Sequence, residues 1–167
     1  TRNFDEITDL SKKARDILKE KACLGGLTLI TREITNDGTE KYLFATSEGQ
    51  KVESVLMFFE DRDTHTACIS SQVGCAVGCP FCATGQAGLV RNMSAGEIVD
   101  QIVRANEVIA AGGLGKSKHE DERVNNIVFM GMGEPLANYN KVMSAIRTMV
   151  EPQPNGLGMS ARNITVS

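Results

Sequence analysis

The chain has 167 residues, with 41% hydrophobic and 23% charged side chains and a net charge of −3. That is ordinary globular composition, long enough for one domain or slightly more, with a core that needs no covalent staples. No apolar run reaches the length of a membrane span, and the polar start TRNFDEITDLSKKARDILKEK lacks the apolar centre of a secretory signal. With neither a span nor a signal, a cytosolic (cytoplasmic) protein is expected, and the acidic balance gives no global footprint for nucleic acid.

In chain order, Ile7, Leu10, Ala14, Ile17 and Leu18 fall at helical spacing and predict a helix from Phe4 to Lys21. The basic residues Lys12, Lys13, Arg15, Lys19 and Lys21 read as its solvated face. Cys23 reads as a small buried thiol, and Gly25-Gly26 ends the segment. Three β-like runs follow at Leu27–Ile34, Lys41–Thr46 and Lys51–Phe59, separated by Asn36-Asp37-Gly38 and Ser47-Glu48-Gly49-Gln50. Turn residues between such runs predict a small antiparallel meander. Residues 1–60 are thus expected to form an N-terminal helix and meander, and residues 61–167 the first part of a second, α/β unit.

That second unit opens with a strand at Thr66–Ser70 and a loop of glycines and cysteines. Ser94-Ala95-Gly96-Glu97 is a capping box that opens a helix to Ala111, with its apolar stripe at Ile98, Ile102, Ala105 and Ile109. Lys116–Arg123 reads as a charged surface loop and Asn126–Met130 as a strand. Gly131-Met132-Gly133-Glu134-Pro135 reads as a turn, Tyr139–Val150 as a helix and Asn163–Ser167 as a strand, after a loop marked by Pro152, Pro154 and Gly156. Strands alternating with helices imply a parallel sheet. A parallel sheet wants more strands than these, so the chain reads as a truncated part of a barrel-like or open α/β domain.

Five cysteines, at 23, 68, 75, 79 and 82, make a poor disulfide framework. Cys75-Ala-Val-Gly-Cys79-Pro-Phe-Cys82 is CxxxCxxC, three thiolates from one short segment. Such ligands suit either zinc or an iron–sulfur cluster. Structural zinc wants four, with Cys68 the nearest spare thiol, and would make a non-catalytic, zinc-stabilised module, an RNA-binding one on the resemblance given below. A 4Fe–4S cluster held by three cysteines keeps one iron free to bind the amino and carboxylate groups of S-adenosylmethionine (SAM). His65 and His119 complete no usual zinc pattern.

The segments CISSQVGCAVGCPFCATGQAGLVRN, NNIVFMGMGEPL and ARNITVS resemble the RlmN/Cfr family of radical SAM RNA methyltransferases, and the likeness covers nearly the whole chain. The resemblance implies a partial radical-SAM (β/α) barrel and a 4Fe–4S cluster on Cys75, Cys79 and Cys82. It implies that Gly133 and Glu134 bind the SAM amino group and that Ser167 contacts SAM. Cys68 matches a cysteine that resolves a covalent RNA adduct by disulfide formation, and Glu53 matches a proposed proton acceptor. By residue type alone, Cys68 would be a buried strand thiol and Glu53 a solvated carboxylate. The resemblance further implies ribosomal and transfer RNA substrates, an electron donor such as a flavodoxin or ferredoxin, and methylation of adenine at C2, or at C8 for Cfr-type members. The family's methyl-carrying cysteine has no counterpart, because no cysteine follows Cys82, so these 167 residues alone are expected not to methylate RNA.

Overall fold

A computed structural model describes residues 3–112 and 122–167. His119 and most of the expected loop at Lys116–Arg123 lie outside the described residues. The chain opens with one 3-10 turn at Phe4–Glu6, then helix α1, Lys12–Lys21. The break in the expected continuous helix has a local cause. Ser11 is extended and its hydroxyl accepts the Ala14 N–H at 3.3 Å, which makes it a helix start rather than a helix interior. Cys23, expected to be buried, is exposed on the connector after α1 and donates to the Gly25 carbonyl at 2.9 Å.

The meander forms as the turn residues predict: β1 (Leu27–Ile34), β2 (Glu40–Thr46), β3 (Lys51–Phe59) and β4 (Thr64–Cys68), each antiparallel to the last. β4 starts and stops two residues earlier than the sequence suggests. Its continuation, Ile69–Gln72, leaves the β3 ladder to bond Val128, Gly131 and Met132. β7 (Asn126–Phe129) and β8 (Ile164–Val166) then add in parallel. The result is one six-stranded sheet in the order β1-β2-β3-β4-β7-β8, so the meander and the parallel strands share a ladder.

Helices α3 (Ala95–Ala110) and α4 (Tyr139–Val150) cover one face of this sheet. Ile98, Ile102, Ala105 and Ile109 from α3 and Val142, Ala145 and Met149 from α4 are buried with Phe44, Leu56, Ala67, Ile127 and Phe129. Each fully buried isoleucine contributes about 1.5–3 kcal/mol. The capping box is complete: Ser94 and Glu97 exchange side-chain and backbone bonds. The alternation along β3 shows the two faces, with Val52, Ser54 and Leu56 buried against the helices and Glu53, Val55 and Met57 half-buried on the other side.

The cysteine-bearing segment, expected to be a loop, contains a second sheet. β5 (Gln72–Gly74) pairs antiparallel with β6 (Leu89–Asn92), and a four-residue helix, α2 (Ala83–Gln86), lies between them. Strands this short carry no periodic signal. Among the described residues no helix is long and apolar enough to cross a membrane.

Candidate functional site

The parallel ladder sets Cys68 beside Val128, Val128 beside Thr165, and Phe129 beside Val166. The segments leaving β4, β7 and β8 therefore emerge side by side: Ile69–Gln72, Met130–Glu134 and Ser167. Ligands of α/β sheets gather at this carboxyl edge. β3 runs the opposite way, so its beginning reaches the same edge. Val55 pairs with Cys68, and Glu53, two residues away on the same face, is a diagonal neighbour at about 7–8 Å. Glu53, Cys68, the Gly133–Glu134 turn and Ser167 thus meet at one end of the sheet, and the cysteine segment begins there.

Each side chain has a definite environment. Glu53 pairs with Lys41 at 2.8 Å, with both side chains close to half exposed. The hydrogen bond and charge of Glu53 raise the pKa of Lys41 and hold it protonated. Burial pushes the Cys68 thiol up, against a smaller lowering by a hydrogen bond from the Met130 backbone. In the turn, the Glu134 carboxylate accepts the Leu136 N–H at 3.0 Å through one oxygen. Ser167 is exposed just past β8.

The cysteine loop is anchored at both ends. Cys75 N–H bonds Gly88 O at 3.0 Å, and Cys82 N–H bonds Cys79 O at 3.1 Å. Gln86 Nε2 reaches Pro80 O at 3.0 Å. Arg91, next to the loop on β6, grips Glu97 with two bonds of 2.8 and 3.0 Å, tying this sheet to α3. All five cysteines are free, and those at 75, 79 and 82 are half-buried.

Sequence reading passed over the groups that hold this end together. Ser70, Gln72, Gln101 and Asn138 are buried polar residues. Ser70 Oγ donates to Glu53 O at 2.5 Å and accepts Met132 N–H at 2.8 Å. Gln101 on α3 bonds both backbone groups of Ser70 at 2.8 Å. Asn138 donates to Ser71 O and Met93 O at 2.8 and 2.9 Å. The one signal in the sequence is a polar run, Ser70-Ser71-Gln72, directly after a strand, and such a run reads as exposed loop.

No protein-family model matches the chain. A protein of Salinispora arenicola named as a probable dual-specificity RNA methyltransferase RlmN is 50% identical over 167 residues, covering 99% of this chain and 43% of its own length. A Thermobifida fusca protein of the same name is 51% identical, covering 96% of this chain and 43% of its own. The chain is an RlmN homologue. It spans less than half the length of these curated relatives. A crystal structure of a radical SAM methyltransferase from Sphaerobacter thermophilus superposes with a TM-score of 0.85 at 44% identity, over 99% of this chain and 46% of that one. The likeness therefore extends from sequence to fold, with the fold that of a radical SAM methyltransferase.

The donor set of this RlmN-like loop suits an iron–sulfur cluster. Among the described residues no three His, Cys, Asp or Glu side chains are grouped as a metal ion would need. Three free, half-buried thiols from one short segment are the donor type an iron–sulfur cluster takes, one thiolate to each of three irons. Cys82 is prepared for the thiolate form. It stands at the N-cap position of α2, where the backbone N–H groups of Gly85 and Thr84 lower its pKa, while burial raises that of Cys68. In metal-free protein at neutral pH, Cys82 is expected to alkylate faster than Cys68, because the thiolate is the nucleophile. Mass-spectrometric mapping of iodoacetamide labelling checks this; Cys68 labelling first contradicts it.

Proposed function

We propose that this chain carries the cluster- and SAM-binding part of an RNA adenine methyltransferase acting at C2 of adenine in 23S rRNA and tRNA. The observation that supports the reading is the meeting of Glu53, Cys68 and the Gly133–Glu134 turn at one sheet end, with the CxxxCxxC segment following directly on β5. It occurs in a chain half identical to proteins named dual-specificity RNA methyltransferases. On this reading residues 61–167 hold the cofactor chemistry and residues 1–60 extend the sheet and deliver Glu53.

Cys75, Cys79 and Cys82 would hold a 4Fe–4S cluster. When bound, that group supplies one-electron reduction of the SAM sulfonium, with an electron from a flavodoxin or ferredoxin. The protein's own residues bind and orient. Glu134 offers a carboxylate to the SAM ammonium, and Gly133 lets the backbone come close. Ser167 lies at the neighbouring strand end for a further contact. Glu53 accepts a proton from the RNA intermediate once Lys41 yields its hold. Cys68 stays a protonated thiol until the sulfur of the covalent RNA adduct is near; it would then give up its proton and attack that sulfur, the S–S bond forming as the sulfur–carbon bond to the RNA breaks, and the released carbon takes up a proton as the product's methyl group.

The test uses full-length protein reconstituted without oxygen. About four irons per chain with acid-labile sulfide are expected, and nuclease digestion with mass spectrometry should find methyl on adenine C2. One zinc and no iron overturns the cluster assignment. Methylation at C8 overturns the position and leaves the reaction class.

A further inference from the structure

The six-stranded sheet and the β5–β6 sheet share no ladder. The cysteine loop hangs on the small sheet, and the Gly133–Glu134 turn on the large one. Something must set the distance between them. Gln72 is 1% exposed, and both ends of its side-chain amide are used. Oε1 accepts Glu134 N–H at 2.8 Å, and Nε2 donates to Asn92 Oδ1 on β6 at 2.7 Å. Its backbone N–H adds a 3.2 Å bond to Met132 O. Gly133, at φ +95°, lies so close that a Cβ there would sit 2.5 Å from Gln72 Cβ. Cys75 follows β5 directly, three residues on from Gln72.

We propose that Gln72 is a positioning residue: its side-chain amide fixes the cysteine loop relative to the Gly133–Glu134 turn, and so fixes where a SAM ammonium meets Glu134. The proposal rests on the SAM-binding reading above. Packing alone does not call for an amide in this place. A buried apolar side chain of the same length fills the volume, but it leaves Glu134 N–H without an acceptor, and the turn is then free to drift.

Two substitutions separate these roles in full-length protein. Gln72→Met keeps the volume and loses both bonds. Gln72→Glu keeps an acceptor for Glu134 N–H. In cluster-free protein, hydrogen exchange at the Glu134 amide is expected to speed up about tenfold in Gln72→Met, equivalent to ~1.4 kcal/mol, and to stay near wild type in Gln72→Glu. After reconstitution both variants are expected to hold wild-type iron. SAM should bind about tenfold more weakly to Gln72→Met and within about threefold of wild type to Gln72→Glu. If Gln72→Met does not fold, Asn92→Ala removes only the far anchor, and a severalfold loss of SAM affinity at unchanged iron is expected. Equal affinity in all forms, equal losses in both Gln72 variants, or loss of iron in Gln72→Met overturns the proposal. Wild-type protein that takes up iron yet binds no SAM overturns the underlying reading instead, and the exchange result still reports on Gln72.

Discussion

Cys79→Ser in the full-length protein is expected to leave less than one iron per chain after anaerobic reconstitution and to cut RNA methylation by at least ~100-fold. Groups that merely orient metal ligands are worth 10–100-fold, so a ligand itself is worth more. Serine is nearly the size of cysteine, but its hydroxyl is a poor replacement for a soft thiolate on iron. Cys79 N–H and C=O need not move, since Cys82 N–H still bonds Cys79 O. The loss is therefore one of ligation and not of folding. Two controls sharpen it. Cys23→Ser, on an exposed thiol bonded to Gly25 O, is expected to keep its iron. Cys68→Ser is expected to keep its iron and lose turnover; metal lost there would make Cys68 a fourth ligand and return the site to zinc. Full iron in Cys79→Ser would remove the basis of the assignment.

Gly74→Ala should destabilise the protein by about 2–5 kcal/mol, adding the left-handed backbone penalty to forced overlap. Gly74 sits at φ +77°, and a Cβ there would overlap the backbone carbonyl oxygen of Gly88. That oxygen belongs to the chain that pairs β5 with β6, so it cannot swing aside as a side-chain tip would. It also accepts the Cys75 N–H. Opening this pairing displaces the first cysteine of the triad, so reduced iron uptake accompanies the lower urea midpoint. Against a typical total of 5–15 kcal/mol the loss is large. Gly49→Ala is the control. Its φ of +81° is alike, but nothing lies within 4 Å of the added carbon. It should therefore lose the backbone part alone, about 1–2 kcal/mol. Equal losses at the two positions would show that contact with Gly88 contributes nothing.

Much of this architecture is legible in the sequence because some elements are long enough to state their period. β1, β3 and α4 begin and end where the residues predict, and α3 lies within its expected span behind its capping box. The cysteine triad is legible because three thiols so close together have few other uses. What is not legible is how one element is held against another. β5 and β6 are too short to show alternation. Ser70 and Gln72 look like loop residues, yet they are buried because the backbone of the turn after β7 supplies their partners. Cys23 runs the other way: a residue type that is usually buried is exposed, its thiol bonded to the nearby Gly25 carbonyl. Such pairings join positions some 60 residues apart in the chain, and local patterns do not record them.

The β3–β4 hairpin has one further consequence. Its register from Val55–Cys68 to Phe59–Thr64 is unbroken, so Glu53 reaches the open side by odd–even parity alone. One residue inserted in the β3 arm alone would, with the ladder kept at the bend, turn the acid inward and send Val52 or Ser54 out in its place. A matched pair, one in each arm, would only move the bend at residues 60–63 further away. The reach of this hairpin can therefore change without moving Glu53 off the face it shares with Cys68 only when both arms change together.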